Sequence, residues 1–529
     1  MGINLHLRAS LLGVVMATAL AGTAFAQEPQ RGGVLTTIHF PEPAVLSSGV
    51  NSGFVAAYVS TKIYEGLLKY DRKGDPMPVL ATSWDVAKDG LTITFHLRDG
   101  VKWHDGQDFT ADDVKFSLEK VWKVLHSRGR LIFANVQQVD TPDKLTVVLH
   151  LSKPSPALMY SLNSFQAQVM PKHIFDDGSD IAKNPHINAP IGTGPWKFNE
   201  WQRGSHVVLD RNESYWDTGK PYPDRLVVRY IPDAAARSAA LETGEAQLGA
   251  QSPIPLSDVK RLASLPDIKV TTEGYEYFAN VSTTYFNTAR KPFSDIRVRH
   301  AFAYATDRQA MLDDIWYGYG KLATGPIASY NTKFYTADVP QYPYDPEKAK
   351  ALLDEAGYTP DKDGIRMRLT YDVNSPLGAE YVRLGELLKQ QFAKIGGELT
   401  LRTQDLATFL KRIYTDYDYD FYTAYNGIYT YPILSQWWGK NIQKGVPFSN
   451  STGYANPRVD ELIEAAQIES DPAKQVEEFH EIQKIVMEDL PVLVNFELDP
   501  VTIYSTKVHD HSVTYDGPFG SFSDVWIER

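Results

Sequence analysis

An α/β protein built on several sheets is the fold class this sequence predicts, on three observations. Hydrophobic residues recur at strand period and at helix period in alternation along the chain. Cap and turn residues stand where those runs should start and stop. The 529 residues, 43% hydrophobic and 22% charged, suffice for two to four folded domains.

The elements follow in order. Leu91, Ile93, Phe95 and Leu97 alternate with polar neighbours, the mark of a half-buried strand, and Asp99-Gly100 and Asp105-Gly106 then turn the chain. Thr110 to Asp113 resembles a capping box opening a helix whose stripe is Val114, Leu118, Val121, Trp122 and Leu125. Leu145, Val147 and Leu149 restore strand alternation, as do Leu226, Val228 and Tyr230. Val298, Ala301, Phe302 and Ala305 share a helical face, and Asp307 caps the next helix. Asp345-Pro346 starts a helix with stripe Ala349, Leu352, Leu353 and Ala356, stopped at Gly357. Leu384, Leu387, Leu388, Phe392 and Ile395 form another stripe, ended by Gly396-Gly397.

Composition narrows the function. Fifty-three Lys+Arg against 65 Asp+Glu give a net charge of −12, which argues against a nucleic-acid or anionic-membrane binder. The absence of cysteine removes disulfides, thiol catalysis and Cys-ligated metals. Ten Trp, 30 Tyr and 23 Phe supply large cores, with rings to spare for a ligand cleft. Arg8, the apolar run Leu11–Leu20 and Ala24-Phe25-Ala26 predict a secretory signal over residues 1–26, cleaved before Gln27. Without a cysteine at that site, the product is expected free in a periplasm, not lipidated.

Catalytic signatures are missing: the sequence holds no HExxH, Walker A loop, GxSxG elbow or EF-hand loop. Gly318 to Ala323 matches GxGxxA but follows a helix, the wrong setting for a pyrophosphate. His509 and His511 flank Asp510 without a second ligand cluster and read as a solvated surface pair. Asp112-Asp113 and Asp313-Asp314 read as exposed helix faces. No catalytic residue, cofactor or metal is therefore expected.

A series of segments runs through the mature chain: Ile63–Leu68, Pro78–Trp84, Phe95–Trp103, Asp105–Val114, Gly192–Trp196, Arg211–Trp216, Gly244–Leu248, Phe293–Ala301, Ala305–Arg308 and Tyr344–Lys350. Together they closely resemble the family 5 (cluster C) solute-binding proteins of ABC importers. The resemblance implies a two-lobed clamp with an extra domain inserted in lobe I. Carried over, lobe I comprises 27–68, 188–278 and 490–529, the inserted domain 69–187 and lobe II 279–489. It also implies a monomer that closes over a solute and docks on membrane permease subunits driven by cytoplasmic ATPases. Peptide leads among the ligands. An opine, oligosaccharide or other polar conjugate is the alternative, a periplasmic chaperone or signalling role a third, and a secreted hydrolase comes last.

The ligand-binding residues expected at strand ends and loops facing the cleft are His39 and Glu42 in lobe I, and Tyr371, Asp372, Asn374, Tyr425, Asn426, Tyr429, Thr430, Trp437 and Trp438 in lobe II. Peptide-binding relatives carry a GWxADYPDP-like loop whose acid pairs with the peptide ammonium; here that slot falls on Tyr429 or Thr430, and the tryptophan slot on Asn426 or Gly427. The segment matching the carboxylate-binding arginine, Leu369–Asn374, has no arginine. Both anchors for a zwitterionic dipeptide are missing.

Overall fold

A computed structural model describes residues 28–529, apart from 277, 278, 376, 377, 429, 430, 433, 435, 447 and 448 and the side chains of 279 and 426–428. Three sheets of four or more strands organise it. The first runs Ile268–Thr271, Thr502–Ser505, Leu248–Gly249, Val34–Ile38, Arg225–Arg229, His206–Arg211, Trp196–Gln202. The second runs Gly320–Leu322, Val492–Leu498, Ala279–Phe286, Phe421–Ile428, Met367–Val373, Gly397–Thr403. The third is antiparallel: Ala81–Val86, Thr92–Leu97, Thr146–Leu151, Val136–Asp143. The first sheet thus draws on three stretches of chain. The four-stranded sheet lies between its first and second stretches, and the six-stranded sheet between its second and third. Two lobes result, with an insert in the first.

Val34–Ile38 pairs parallel on both sides, and Leu35 and Ile38 are fully buried, as a central strand covered on both faces requires. Lobe I and the insert share one continuous hydrophobic cluster, from Leu35 through Trp103 and Leu149 to Val525. The insert is therefore packed as part of lobe I. Lobe II has its own core, where Phe286, Phe293, Phe302, Phe392 and Phe421 form a connected cluster, mostly edge-on or tilted, with touching rings 3.9 to 6.5 Å apart. Insert and lobe II touch where Tyr160 stacks on Tyr431 at 5.9 Å.

The caps act where the sequence places them. Thr110 N–H donates to Asp113 Oδ2 at 2.9 Å, Ala310 N–H to Asp307 at 3.0 Å and Lys348 N–H to Asp345 at 2.9 Å. Gly357 and Gly396 turn the chain at φ +87° and +81°. Two expectations are corrected. Asp113 is buried, because its second oxygen accepts from the Lys172 N–H at 2.9 Å, a partner remote in sequence. His509 and His511 are not a solvated pair: His509 stacks on Trp526 at 4.0 Å and His511 packs against Tyr504 at 4.3 Å. Burial lowers the His511 pKa to about 4.

Three of the motif segments converge on one buried carboxylate. Glu65 accepts from Thr193 Oγ1 and Tyr215 OH at 2.8 Å each, and from Trp216 Nε1 at 3.1 Å. Burial pushes its pKa up to about 7 against the pull of those donors. Gly192 and Gly194 lie against the end of helix Phe54–Ile63, where an added Cβ would meet the Ile63 carbonyl oxygen at 1.9 and 2.6 Å. Only glycine lets these backbones meet.

Candidate functional site

The lobes join where the chain crosses between sheets. Strands Ala279–Phe286 and Val492–Leu498 run antiparallel there, and Tyr275 pins the junction. Its hydroxyl accepts from the Gln251 N–H at 2.7 Å and lies 2.6 Å from Thr502 Oγ1. Gln251 and Ser252 both hold left-handed φ, 58° and 53°, a conformation costing about 1 kcal/mol or more per residue. The turn is held by Ser252 N–H donating to the Val501 carbonyl at 2.7 Å and Val501 N–H donating to Ser252 Oγ at 3.1 Å.

Between this turn and lobe II lies a cavity of about 350 Å³. Lobe I supplies Phe54, at the start of its helix, with Gln251, Ser252 and Ile254 to Leu256; the crossing supplies Asn280 and Leu498 to Pro500. Lobe II supplies Trp316 at the end of helix Arg308–Trp316 and Tyr319 just beyond it, Glu380 and Tyr381 in the first turn of helix Ala379–Ala393, and Tyr425 on strand Phe421–Ile428. Trp316 packs edge-on against Tyr381 at 5.9 Å and against Phe496 at 4.7 Å, which fixes that wall.

The polar side of the wall is acidic. Asp499 accepts from the Tyr330 hydroxyl, and burial raises its pKa above the ordinary carboxylate range. Buried Glu497 accepts from Ser329 N–H and Oγ at 2.8 Å each, and Lys321 lies 3.4 Å from it and 3.8 Å from the Tyr330 ring centroid. Glu380 has Arg383 at 3.7 Å. Among the described residues, no group of three or more His, Asp or Glu side chains comes together as a metal site.

Of the residues singled out by sequence, Tyr425 lines this cavity. His39 lies inside lobe I, stacked on Tyr58 at 4.2 Å, with burial and nearby Lys62 lowering its pKa to about 3. Glu42 ties down lobe I, accepting from Trp201 Nε1 at 2.8 Å and Gly204 N–H at 2.9 Å. Tyr371 is fully buried against Phe421 at 5.1 Å. Asp372, also fully buried, accepts from Arg402 Nη2 at 2.7 Å, Arg402 Nε at 2.8 Å and Gln404 Nε2 at 2.8 Å. Asn374 is buried just past that strand. Trp437 is buried in lobe II, and Trp438 lines a separate apolar recess of about 270 Å³ between insert and lobe II. Asn426 pairs through its backbone with strand Ala279–Phe286. Tyr429 and Thr430 lie outside the described residues. Sequence reasoning missed Gln251, Asn280, Trp316, Tyr319, Glu380, Tyr381 and Asp499. For Asn280 and Asp499 a signal existed: each is close to an expected crossing between lobes.

The model for the middle region of bacterial extracellular solute-binding proteins, family 5, matches residues 75–444. Oligopeptide-binding protein AppA of Bacillus subtilis is 28% identical over 488 residues, 88% of this chain and 86% of that one. Its structure in complex with a nonapeptide matches with a TM-score of 0.77 and 25% identity, covering 95% of this chain and 100% of that one. AgaA of Agrobacterium tumefaciens in complex with agropinic acid matches with a TM-score of 0.73 and 27% identity, covering 94% of this chain and 99% of that one. The two-lobed fold, the resemblance carried by the motifs and these matches agree: the chain belongs to the bacterial extracellular solute-binding proteins of family 5.

Proposed function

We propose that this chain is the periplasmic solute-binding component of an ABC importer for peptides, closing its lobes on the ligand and presenting it to membrane permease subunits. The observation that carries the reading is the ring-lined cavity of about 350 Å³ at the crossing, to which both lobes contribute. Relatives named for oligopeptide binding support peptide as the class. Closure selected by ligand requires only differential contact in the closed state, and no reaction. On this reading the molecule acts without turnover, and it works as a monomer after residues 1–26 are removed. We place lobe I at 27–68, 188–278 and 502–529, the insert at 69–187 and lobe II at 279–498. The last crossing, expected between 489 and 490, is instead drawn at 499–501, because Val492–Leu498 pairs within the six-stranded sheet.

The test is a thermal-shift and tryptophan-fluorescence screen of the mature protein against di- to pentapeptides, opines and oligosaccharides. A peptide at 100 times its Kd should stabilise by about 2.7 kcal/mol through mass action and be recovered unchanged by mass spectrometry. Shifts from an opine or glycoside but from no peptide would replace the ligand class, and a cleaved hit would overturn the transport reading.

A further inference from the structure

Resting on that reading of the cavity as the ligand site, we infer that it selects a peptide presenting an organic cation, a primary ammonium or guanidinium, to Glu380 and Asp499, without a carboxylate at the same place. The cavity lining contains two carboxylates and five aromatic side chains, Phe54, Trp316, Tyr319, Tyr381 and Tyr425, and no lysine, arginine or histidine. No residue left undescribed between 28 and 529 carries a charged side chain.

A second observation points the same way. Two lining amides, Gln251 and Asn280, have side-chain carbonyl oxygens that are buried and accept no hydrogen bond from the described residues. Buried acceptors without donors are costly, so lobe closure that turns these oxygens into the cavity would be favoured by a ligand rich in N–H groups. An ammonium or guanidinium has N–H donors and no acceptor, and aromatic faces attract its charge. A ligand carboxylate would instead meet the acids with no basic partner in the lining.

The nearby cations do not cancel this preference. Lys321 is engaged by Glu497 and the Tyr330 ring, and Arg383 lies beside Glu380; both stand outside the lining. Together with Glu497 the wall has three carboxylates against these two cations, and the whole chain adds a net charge of −12 that favours approach of a cation.

Four probes decide the matter by calorimetry on the mature protein: acetylated, amidated pentapeptides with Lys, Ala or Glu at the centre of four alanines, and agmatine. The Lys peptide should bind about tenfold or more tightly than the Ala peptide, with the Glu peptide weakest, and the margin should shrink in high salt. Glu380→Gln and Asp499→Asn should each cut the Lys-over-Ala margin severalfold while melting normally. Equal affinities, a preference for Glu, no binding by any probe, or variants that keep the full margin would each overturn the inference. Peptides bound regardless of charge would sink it and leave the peptide reading standing. Agmatine bound where no peptide binds would keep the cation site and remove the peptide reading.

Discussion

Asp372 offers the clearest test of how side chains divide between ligand and scaffold. Its position near the end of strand Met367–Val373, in the segment matching a carboxylate-binding arginine, suggests a ligand contact; its surroundings say otherwise. It is fully buried and accepts three hydrogen bonds, two of them from the fork of Arg402. Replacing it by alanine removes those bonds and strands a guanidinium that is only 27% exposed. Arg402 keeps the Asp418 carbonyl at 2.6 Å and the Asp418 carboxylate at 3.3 Å, which softens the loss. Breaking a buried pair costs about 3–5 kcal/mol, and with that remaining support we expect about 3. Adding Arg402→Met should recover part of it, since the uncompensated charge goes as well. Urea unfolding, read together with peptide titration of the folded fraction, measures both effects. Lost binding at unchanged urea midpoint would refute the reasoning, since Asp372 would then have to reach the ligand.

Three further outcomes follow from the same geometry. His39, His104, His126 and His511 are held neutral, their pKa values lowered to about 3 or 4 chiefly by burial, so the unfolded chain takes up protons first below about pH 6.5. Glu65 and Asp516, raised to about 7 and about 6, act in the opposite sense, favouring the native state as pH falls. Each of the four histidines should by itself cost about 1 kcal/mol of stability between pH 6 and 5, and an NMR titration of the folded protein in which any of them protonates above pH 5 would contradict these burial assignments. Gly192→Ala should cost about 3 kcal/mol or prevent folding because its Cβ meets a backbone carbonyl at 1.9 Å, whereas Gly204→Ala, at φ +73° in open space, should cost about 1; equal melting temperatures would be the wrong result. Tyr425→Ala should weaken peptide binding about tenfold with little change in melting, while Trp437→Ala, buried in the lobe II core, should cost about 3–5 kcal/mol and leave the folded fraction's affinity alone.

What the sequence made legible was set locally. The caps at Thr110, Asp307 and Asp345 and the helix stops at Gly357 and Gly396 depend on neighbours within a few residues, and they appear where the pattern places them. The burial of Asp113 escapes such a local reading because it depends on the Lys172 N–H, 59 residues away. The cavity is harder still. Gln251, Asn280, Glu380, Tyr425 and Asp499 belong to five separate stretches and share no periodic or motif signature. They meet only because two strands cross between the lobes.

This division also bears on why the family is easier to read than its ligand. Segments Ile63–Leu68, Gly192–Trp196 and Arg211–Trp216 carry much of the resemblance, and they converge on Glu65 and on the close approach to Ile63 inside lobe I. A change there removes a donor from a buried carboxylate or drives a Cβ into a carbonyl, so the fold depends on those residue types whatever is bound. None of these three segments contributes a residue to the interlobe cavity. Substitutions at Glu380 or Tyr425 can alter the lining without disturbing that node. One scaffold can therefore hold a nonapeptide in AppA and agropinic acid in AgaA. For this chain, the charge and rings of the lining carry the information about its ligand that the motifs lack.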